Sequence, residues 1–246
     1  MKKQRLDVVL VERGFFETRS KALAAIMAGQ VRVDGVSVTK AGAMTPESAQ
    51  IEIESPCPYV SRGGFKLEAA LKAFFVDASG KIVIDVGAST GGFTDCLLQK
   101  GAKKVYAIDV GHGQIAQKIR NDPRVVVREK LNARFLNSED FFPRPSLAVI
   151  DVSFISLTQV LRPVSDCLDE PSEIIALIKP QFEVGPKLAP KGIVQTEEVR
   201  QLAISKIRHF LPEAGLKEWG MIESPISGMK GNREFLIFLK KSENKI

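Results

Sequence analysis

Lys81-Ile-Val-Ile-Asp-Val-Gly-Ala-Ser-Thr-Gly-Gly-Phe-Thr-Asp95, followed by Lys103-Lys-Val-Tyr-Ala-Ile-Asp-Val-Gly111, is the stretch whose reading decides the fold of this chain. Ile82 to Val86 is a short, nearly unbroken β-branched run, which predicts a strand buried on both faces, and Gly87 marks where it stops. Phe93-Thr-Asp-Cys-Leu-Leu carries an apolar face at helical spacing, and 105–108 is a second buried strand ending at Asp109. Strand, glycine turn, helix and strand make a right-handed βαβ unit whose crevice opens at the carboxyl ends of its strands.

An acidic side chain at the end of the second strand, here Asp109, faces the ribose of a nucleotide-like ligand, because a carboxylate accepts hydrogen bonds from both hydroxyls. The glycines select the ligand. A phosphate-binding P-loop ends in Gly-Lys-Ser/Thr, whereas this turn runs on into Gly91-Gly92-Phe93. A dinucleotide fingerprint needs G-x-G-x-x-G, and its third position is Ser89 here, giving Gly87-x-x-x-Gly91-Gly92. A ligand tail lying against bare backbone, with no pyrophosphate to cradle, suits S-adenosylmethionine, and the stretch resembles the first two motifs of class I methyltransferases. That resemblance implies cofactor contacts from Asp85, Gly87, Ala88, Ser89, Thr90, Gly91, Gly92, Phe93 and Asp109, and from Asn132 after the third strand, where this fold usually meets adenine. The plain alternatives are a glycine turn that serves helix–strand packing alone and an Asn132 that only caps its loop.

With 246 residues the chain suits one large or two modest domains. A net charge of +6 and a pI of about 9.2 fit nucleic-acid binding or plain solubility. Cys57, Cys96 and Cys167 are far apart, odd in number and without metal-ligand spacing, which fits reduced thiols better than a zinc site or a disulfide frame. No apolar run approaches the roughly 20 residues that span a bilayer, and Met1-Lys-Lys-Gln-Arg-Leu-Asp7 lacks a signal-peptide core. The expectation is a cytoplasmic protein with no membrane partner and no metal; the sequence carries no signal for oligomeric state.

Residues 5–54 read as a module of their own. Leu6, Val9, Leu10 and Val11 predict an amphipathic helix ended by Gly14. Thr18 before Ser20-Lys21 opens a second helix, with Leu23, Ile26 and Met27 as its apolar face and Gly29 as its stop. Val31-Arg-Val-Asp-Gly-Val-Ser-Val38 alternates apolar and polar around an Asp34-Gly35 turn, a hairpin signal, and Ile51-Glu-Ile53 supplies one more strand. This order, with Arg-Leu-Asp at the start, Thr-Arg-Ser-Lys opening the second helix and Val-Arg-Val-Asp-Gly in the hairpin, resembles the S4 RNA-binding domain. The resemblance implies contacts to an RNA backbone from Arg5, Arg19, Ser20, Lys21, Arg32 and, beyond the module, Arg62; such contacts carry charge but little sequence information. Through Glu54 the module has eight Lys/Arg against seven Asp/Glu, so clustering rather than net charge favours RNA: six of those cations fall within the first 21 residues. A solvated helix face is the plain alternative.

Ser55-Pro-Cys-Pro58 resists both helix and central strand. The expected organisation is an S4-like module over 1–54, a linker over 55–60 and a second domain over 61–246. In that domain a helix running to about Phe75 precedes the βαβ unit, and further strands fall at 125–128, 147–150 and 173–178. A long helical pattern over 197–210 then leads to a terminal pair of strands. This alternation predicts an α/β, Rossmann-like domain: a mostly parallel sheet with helices on both faces.

Asp151 and Lys179 each follow a buried strand, where residues of an open α/β sheet converge on the crevice. A lysine directly after Ile-Ile-Ala-Leu-Ile is unusual unless it is paired or sits at the rim. Ser61-Arg-Gly-Gly-Phe-Lys-Leu, Ile150-Asp-Val-Ser, Ile178-Lys-Pro-Gln-Phe-Glu and Asn232-Arg-Glu-Phe-Leu-Ile-Phe resemble, in order, the four segments that carry the Lys-Asp-Lys-Glu tetrad of FtsJ-type ribose 2'-O-methyltransferases. The resemblance places the tetrad at Lys66, Asp151, Lys179 and Glu234. With an S4-like module in front, the chain resembles the TlyA, or hemolysin A, family, which implies S-adenosylmethionine as methyl donor, a cytidine ribose 2'-hydroxyl as acceptor, and ribosomal RNA or ribosomal subunits as partner. One departure is Asp151-Val-Ser-Phe, where FtsJ proteins commonly have proline shortly after the aspartate. The loop 185–192, with Lys187 and Lys191 among glycines and prolines, reads as a lid or as a plain solvated loop.

Rival functions are a hemolysin-like membrane-active protein, an RNA-binding module without catalysis, and a base methyltransferase. An amino-group enzyme calls for an Asn/Asp-Pro-Pro-aromatic segment after the fourth strand, and Asp151-Val-Ser-Phe lacks the prolines. A pyrimidine C5 enzyme needs a catalytic thiolate, and neither Cys96 nor Cys167 sits at a strand end.

Overall fold

The computed structural model describes residues 3–27, 29–40, 42–53 and 57–241. They divide into two compact units, Met1–Pro58 and Tyr59–Ile246. Glu54, Ser55 and Pro56, around the start of the expected linker, lie outside the described residues.

In the first unit β1 (Lys3–Arg5) leads straight into α1 (Leu6–Glu12), followed by α2 (Arg19–Met27), β2 (Val31–Val33), β3 (Val36–Ser37), β4 (Met44–Pro46) and β5 (Ile51–Ile53). Asp34 and Gly35 make the β2–β3 turn with φ of 51° and 77°, the two positive values that match a tight hairpin to the twist of its strands. β2 lies between β3 and β5, while β1 and β4 pair separately and antiparallel. That second pair was not legible in the sequence, since β1 is a charged run and β4 contains a proline. Leu6, Leu10, Ala22, Ala25, Ile26 and Val31 form the core. The apolar face of α2 differs from the expected one: Ala22, Ala25 and Ile26 are buried, whereas Leu23 and Met27 are 37% and 68% exposed. At 3.6 residues per turn, positions 22, 25 and 26 share one stripe and 23 and 27 fall beside it.

The second unit opens with α3 (Gly63–Ala73), then β6 (Ile82–Val86), α4 (Gly92–Gln99), β7 (Lys104–Ile108), α5 (Gln117–Arg120), β8 (Val125–Arg128) and β9 (Leu147–Ile150). It continues with α6 (Leu161–Asp166), β10 (Glu173–Ile178), α7 (Pro180–Glu183), α8 (Glu197–Phe210), β11 (Leu216–Glu223) and β12 (Phe235–Lys241). Seven strands form one sheet in the order β11-β12-β10-β9-β6-β7-β8. β8, β7, β6, β9 and β10 run parallel, and the terminal hairpin β11–β12 adds antiparallel to β10.

Successive residues of each central strand feed opposite cores. Ile84, Val86, Ile108, Ile150, Ile174 and Ile178 pack with α6 and α8, while Val83, Val105, Ala107, Val149, Ile175 and Leu177 pack with α3 and α4. Helical cover on both faces is why these strands read as unbroken apolar runs rather than as alternating ones. Each fully buried Val, Leu or Ile side chain contributes about 1.5–3 kcal/mol.

Tyr59 and Val60, which the sequence reading gives to the linker, pack within this unit. The Tyr59 ring fills the space that a Cβ on Gly64 would need, 2.2 Å away, and the Val60 N–H donates to Asp95 Oδ2 at 2.9 Å. These contacts fix the chain just ahead of α3, which begins at Gly63.

Gly87 ends β6 at φ +87°, and a Cβ there would lie 2.5 Å from the Asp151 carbonyl oxygen. Gly113 also has positive φ, +69°, but has nothing within 4 Å. Gly113→Ala should therefore cost only the left-handed backbone term, about 1–2 kcal/mol. Gly87→Ala adds an overpacking penalty of about 1–3 kcal/mol. Urea unfolding of the two variants, followed by Trp219 fluorescence, should rank them in that order.

Candidate active site

The register of the sheet lines up five side-chain positions along one edge. Ile178 of β10 is opposite Phe235 of β12, so Lys179 and Glu234 are the next residues on neighbouring strands. Ile150 is level with Val86, and Val86 with Ile108, which puts Asp151, Gly87 and Asp109 one step beyond their strands at the same edge. The order across the edge is Glu234, Lys179, Asp151, Gly87, Asp109. Strands lie ~4.8 Å apart, so these groups stand side by side.

The four tetrad positions form two ion pairs. Lys66, reaching from α3, places Nζ 2.6 Å from Glu234 Oε2, with both residues buried at 9% and 2% exposure. Lys179 Nζ lies 2.6 Å from Asp151 Oδ1 and donates to Ser153 Oγ at 2.7 Å. Glu234 is backed by Gly228, where any Cβ would fall 1.8 Å from Oε1. Asn232 holds the approach to Glu234: its Oδ1 accepts from Val194 N–H at 2.9 Å, and its Nδ2 donates to the carbonyls of Gly192 and Met229. Lys230 also donates to the Lys191 carbonyl at 2.6 Å. The loop 185–192 is therefore stapled to the segment before β12.

Beside Asp151 a cleft of about 620 Å³ is lined by Gly87, Ser89, Asp109, Gln114, Asn132 and Ser153 among others. Asp109 Oδ2 accepts from Ser89 N–H at 2.8 Å and Oδ1 from Gly111 N–H at 2.7 Å, which aims the carboxylate while leaving a lone pair on each oxygen. Ser89, where a dinucleotide loop has glycine, adopts φ 50°, so the turn keeps left-handed geometry without the glycine. Gly91, at φ 96°, starts α4. Asn132 lines the cleft and also caps the short turn 133–135, its Oδ1 accepting from Arg134 N–H.

The other expected cofactor positions do not line the cleft. Ala88, Gly91, Gly92 and Phe93 are buried, and Thr90 is exposed. Asp85 is fully buried, accepts from Thr94 Oγ1 at 2.6 Å, and leaves Oδ1 without a hydrogen bond. Burial, opposed by the Thr94 hydrogen bond, pushes its carboxyl up to about 7. Sequence reasoning passed over Ser153, Gln114 and Phe154. Phe154 is 81% exposed at φ 63° and packs against Phe182 at 4.9 Å. Its quoted motif placed it near the site; its reversed backbone had no sequence signature.

In the first unit Arg5 and Arg19 converge on the buried Asp7. Arg5 Nε donates to Oδ1 at 3.0 Å and an Arg19 terminal nitrogen to Oδ2 at 2.7 Å, while the two arginine side chains remain 52% and 60% exposed. Lys21 pairs with Glu17, Ser20 is exposed, and Arg32 donates to the Gly35 carbonyl at 3.2 Å. Arg62, in the second unit, is exposed just ahead of α3. The hydrogen bond from Arg5 holds the Asp7 carboxyl down at about 2.

A parallel sheet with an added antiparallel terminal hairpin, a glycine turn aimed at a cleft, and an acid ending the next strand define a Rossmann-like methyltransferase. The chain belongs to the FtsJ-like methyltransferase family, which it matches over residues 59–241, and it matches the S4 domain over residues 4–51. The 16S/23S rRNA (cytidine-2'-O)-methyltransferase TlyA of Mycobacterium tuberculosis is 40% identical over 97% of this chain and 90% of that protein. Hemolysin A of Brachyspira hyodysenteriae is 44% identical over 94% of this chain and 98% of that protein. A solved structure of a hemolysin-named protein from Streptococcus thermophilus has a TM-score of 0.78 at 41% identity, covering 99% of this chain and 90% of that one.

Two outcomes follow from the ion pairs. Lys66→Met strands Glu234 as an unpaired buried carboxylate and should cost about 3–5 kcal/mol. Lys66→Met with Glu234→Leu should recover most of that loss in denaturant unfolding. Asp7 is depressed when folded, so its contribution is full above its unfolded value near about 4 and disappears as pH falls towards about 2. The melting-temperature gap between wild type and Asp7→Asn should close over that window.

Proposed function

We propose that this chain transfers a methyl group from S-adenosylmethionine to the 2'-hydroxyl of a cytidine ribose in ribosomal RNA. The observation that carries this reading is the pair of lysine–carboxylate ion pairs, Lys66–Glu234 and Lys179–Asp151, on adjacent strand ends beside the cleft that ends at Asp109. The rRNA specificity named for the Mycobacterium tuberculosis relative, together with the S4 match, supports RNA as the substrate.

The cleft suits the cofactor. Asp109 presents two oriented carboxylate oxygens to ribose hydroxyls, the turn 87–91 offers backbone where a side chain would block approach, and Asn132 and Gln114 add amide groups. The cofactor supplies a methyl already activated on a sulfonium, so the protein has to align the acceptor and manage one weakly acidic proton.

Lys179 is the group placed to meet the acceptor hydroxyl. Its ammonium has three donor hydrogens; one goes to Ser153 Oγ, and Asp151 stands 2.6 Å away as counter-ion without accepting a hydrogen bond. The charged Lys179 would orient the ribose oxygen by donating to one of its lone pairs and make the hydroxyl more acidic; as the C–O bond forms and the methyl–sulfur bond breaks, the hydroxyl proton would leave to water. Lys66, fixed by Glu234, holds a second positive charge beside it. The exposed Phe154 ring, backed by Phe182, offers a stacking face for a base swung out of an RNA strand. In the first unit Asp7 presents two guanidinium groups with their outer faces exposed, an arrangement suited to phosphates.

The rival activities lack matching features in the described residues. Among the described residues no helix is long and apolar enough to cross a membrane, so the hemolysin name has no helical counterpart here. Burial pushes the Cys96 thiol up to about 12 and the Cys167 thiol up to about 11, the opposite of what a pyrimidine C5 nucleophile requires.

The test is incubation of ribosomal RNA and isolated subunits with the protein and S-adenosylmethionine, followed by nuclease digestion and mass spectrometry. A methyl group on a cytidine ribose is expected; a base-borne methyl group overturns the assignment. Lys179→Ala should lower turnover by about 10²-fold or more while calorimetric S-adenosylmethionine affinity stays unchanged.

A further inference from the structure

We propose that Ser153 is a positioning residue for this transfer, holding the Lys179 ammonium in the rotation that leaves one donor hydrogen directed at the ribose hydroxyl. The inference rests on the reading of Lys179 given above and adds a partner that neither the tetrad nor the family match assigns.

Lys179 Nζ lies 2.6 Å from Asp151 Oδ1 as an ion pair in which Oδ1 accepts no hydrogen bond, and it donates to Ser153 Oγ at 2.7 Å. An ion pair fixes where the charge sits but leaves the ammonium free to turn about its Cε–Nζ bond, at the end of a flexible four-carbon stem. The hydrogen bond to Ser153 removes that freedom. Because the nitrogen is tetrahedral, fixing Cε and one N–H direction fixes the other two. Ser153 is an exposed residue lining the cleft, so its hydroxyl contributes to no core.

The loop that carries Ser153 is tied to the segment that carries Lys179 at successive points. Phe154, at φ 63°, sets its ring against Phe182 with the centroids 4.9 Å apart and the planes tilted by 48°. Further on, Glu183 is buried and accepts from Ser156 Oγ and from Leu157 N–H at 2.8 Å, with Lys206 Nζ 3.2 Å away. Residues 151–157 and 179–183 are thus joined by Lys179 to Asp151 and Ser153, by Phe182 to Phe154, and by Glu183 to Ser156 and Leu157. A serine at the free rim of this ladder is held at hydrogen-bond distance by its neighbours' packing.

The experiment uses the full chain, tritiated S-adenosylmethionine and purified ribosomal subunits, with Ser153→Ala, Ser153→Thr and Lys179→Ala in parallel. Ser153→Ala should lower kcat by about 10- to 100-fold, the effect of one hydrogen bond to a charged group, with KM for S-adenosylmethionine and RNA affinity unchanged. Ser153→Thr keeps the hydroxyl and should restore kcat, which a loss of mere packing would not allow. Wild-type kcat in Ser153→Ala, equal losses in the alanine and threonine variants, or a loss confined to KM overturns the inference. If Ser153→Ala is fully active while Lys179→Ala is inactive, only the role of Ser153 falls. If Lys179→Ala is fully active as well, the reading of the whole site falls.

Discussion

The antiparallel pairing of β12 against β10 is the constraint on which the site depends. With Ile178 opposite Phe235, the residue that leaves β10 and the residue that enters β12 are Lys179 and Glu234, at the same edge of the sheet. Strand side chains alternate faces, so a slip of one residue would send Glu234 to the other face of the sheet and exchange its two buried rows, Phe235, Ile237 and Leu239 on one face and Leu236 and Phe238 on the other. The register of β12 against β10 therefore fixes where the buried Glu234 carboxylate stands. Parallel strands β9, β6 and β7 extend the same edge with Asp151, Gly87 and Asp109.

Electrostatics decides how charges persist there. Moving a lone ion out of water costs several kcal/mol, and a close partner offsets this only when geometry is good. Lys66 and Glu234 meet this condition with a hydrogen bond of 2.6 Å; Lys179 and Asp151 are equally close as an ion pair, while the hydrogen bond of Lys179 goes to Ser153. Each lysine is matched to its own carboxylate, so a cation from α3 and one from the end of β10 can both stand at this edge without a net buried charge. Asp85, one strand further in, has only a threonine hydroxyl, and burial raises its carboxyl instead. The contrast separates a carboxyl that supports the βαβ turn from inside from those that face the cleft.

The S4 unit uses the same logic at its surface. Asp7 is buried beneath Arg5 and Arg19 and orients both guanidinium groups while most of each stays exposed. A charge count near balance is thereby compatible with a locally cationic face, because one buried acid organises two arginines rather than neutralising them from outside.

The amino-acid sequence alone determined the strands of the second unit almost to the residue, because helices on both faces demand continuous β-branched runs such as Ile82–Val86 and Glu173–Ile178. It also pointed to Lys66, Asp151, Lys179 and Glu234 through four separated motifs, and to Asp109 through its place after a buried strand. It did not reveal β1 and β4, whose pairing is non-local and whose residues are charged or include proline. It misassigned Leu23 and Met27 to a buried face that Ala22 and Ala25 occupy. Tertiary structure alone decided that the tetrad divides into two lysine–carboxylate pairs, that Glu234 needs the bare backbone of Gly228, and that Ser153 accepts the hydrogen bond of Lys179. Those facts depend on strand register and on close approaches between residues far apart in the chain, and no local periodicity encodes them.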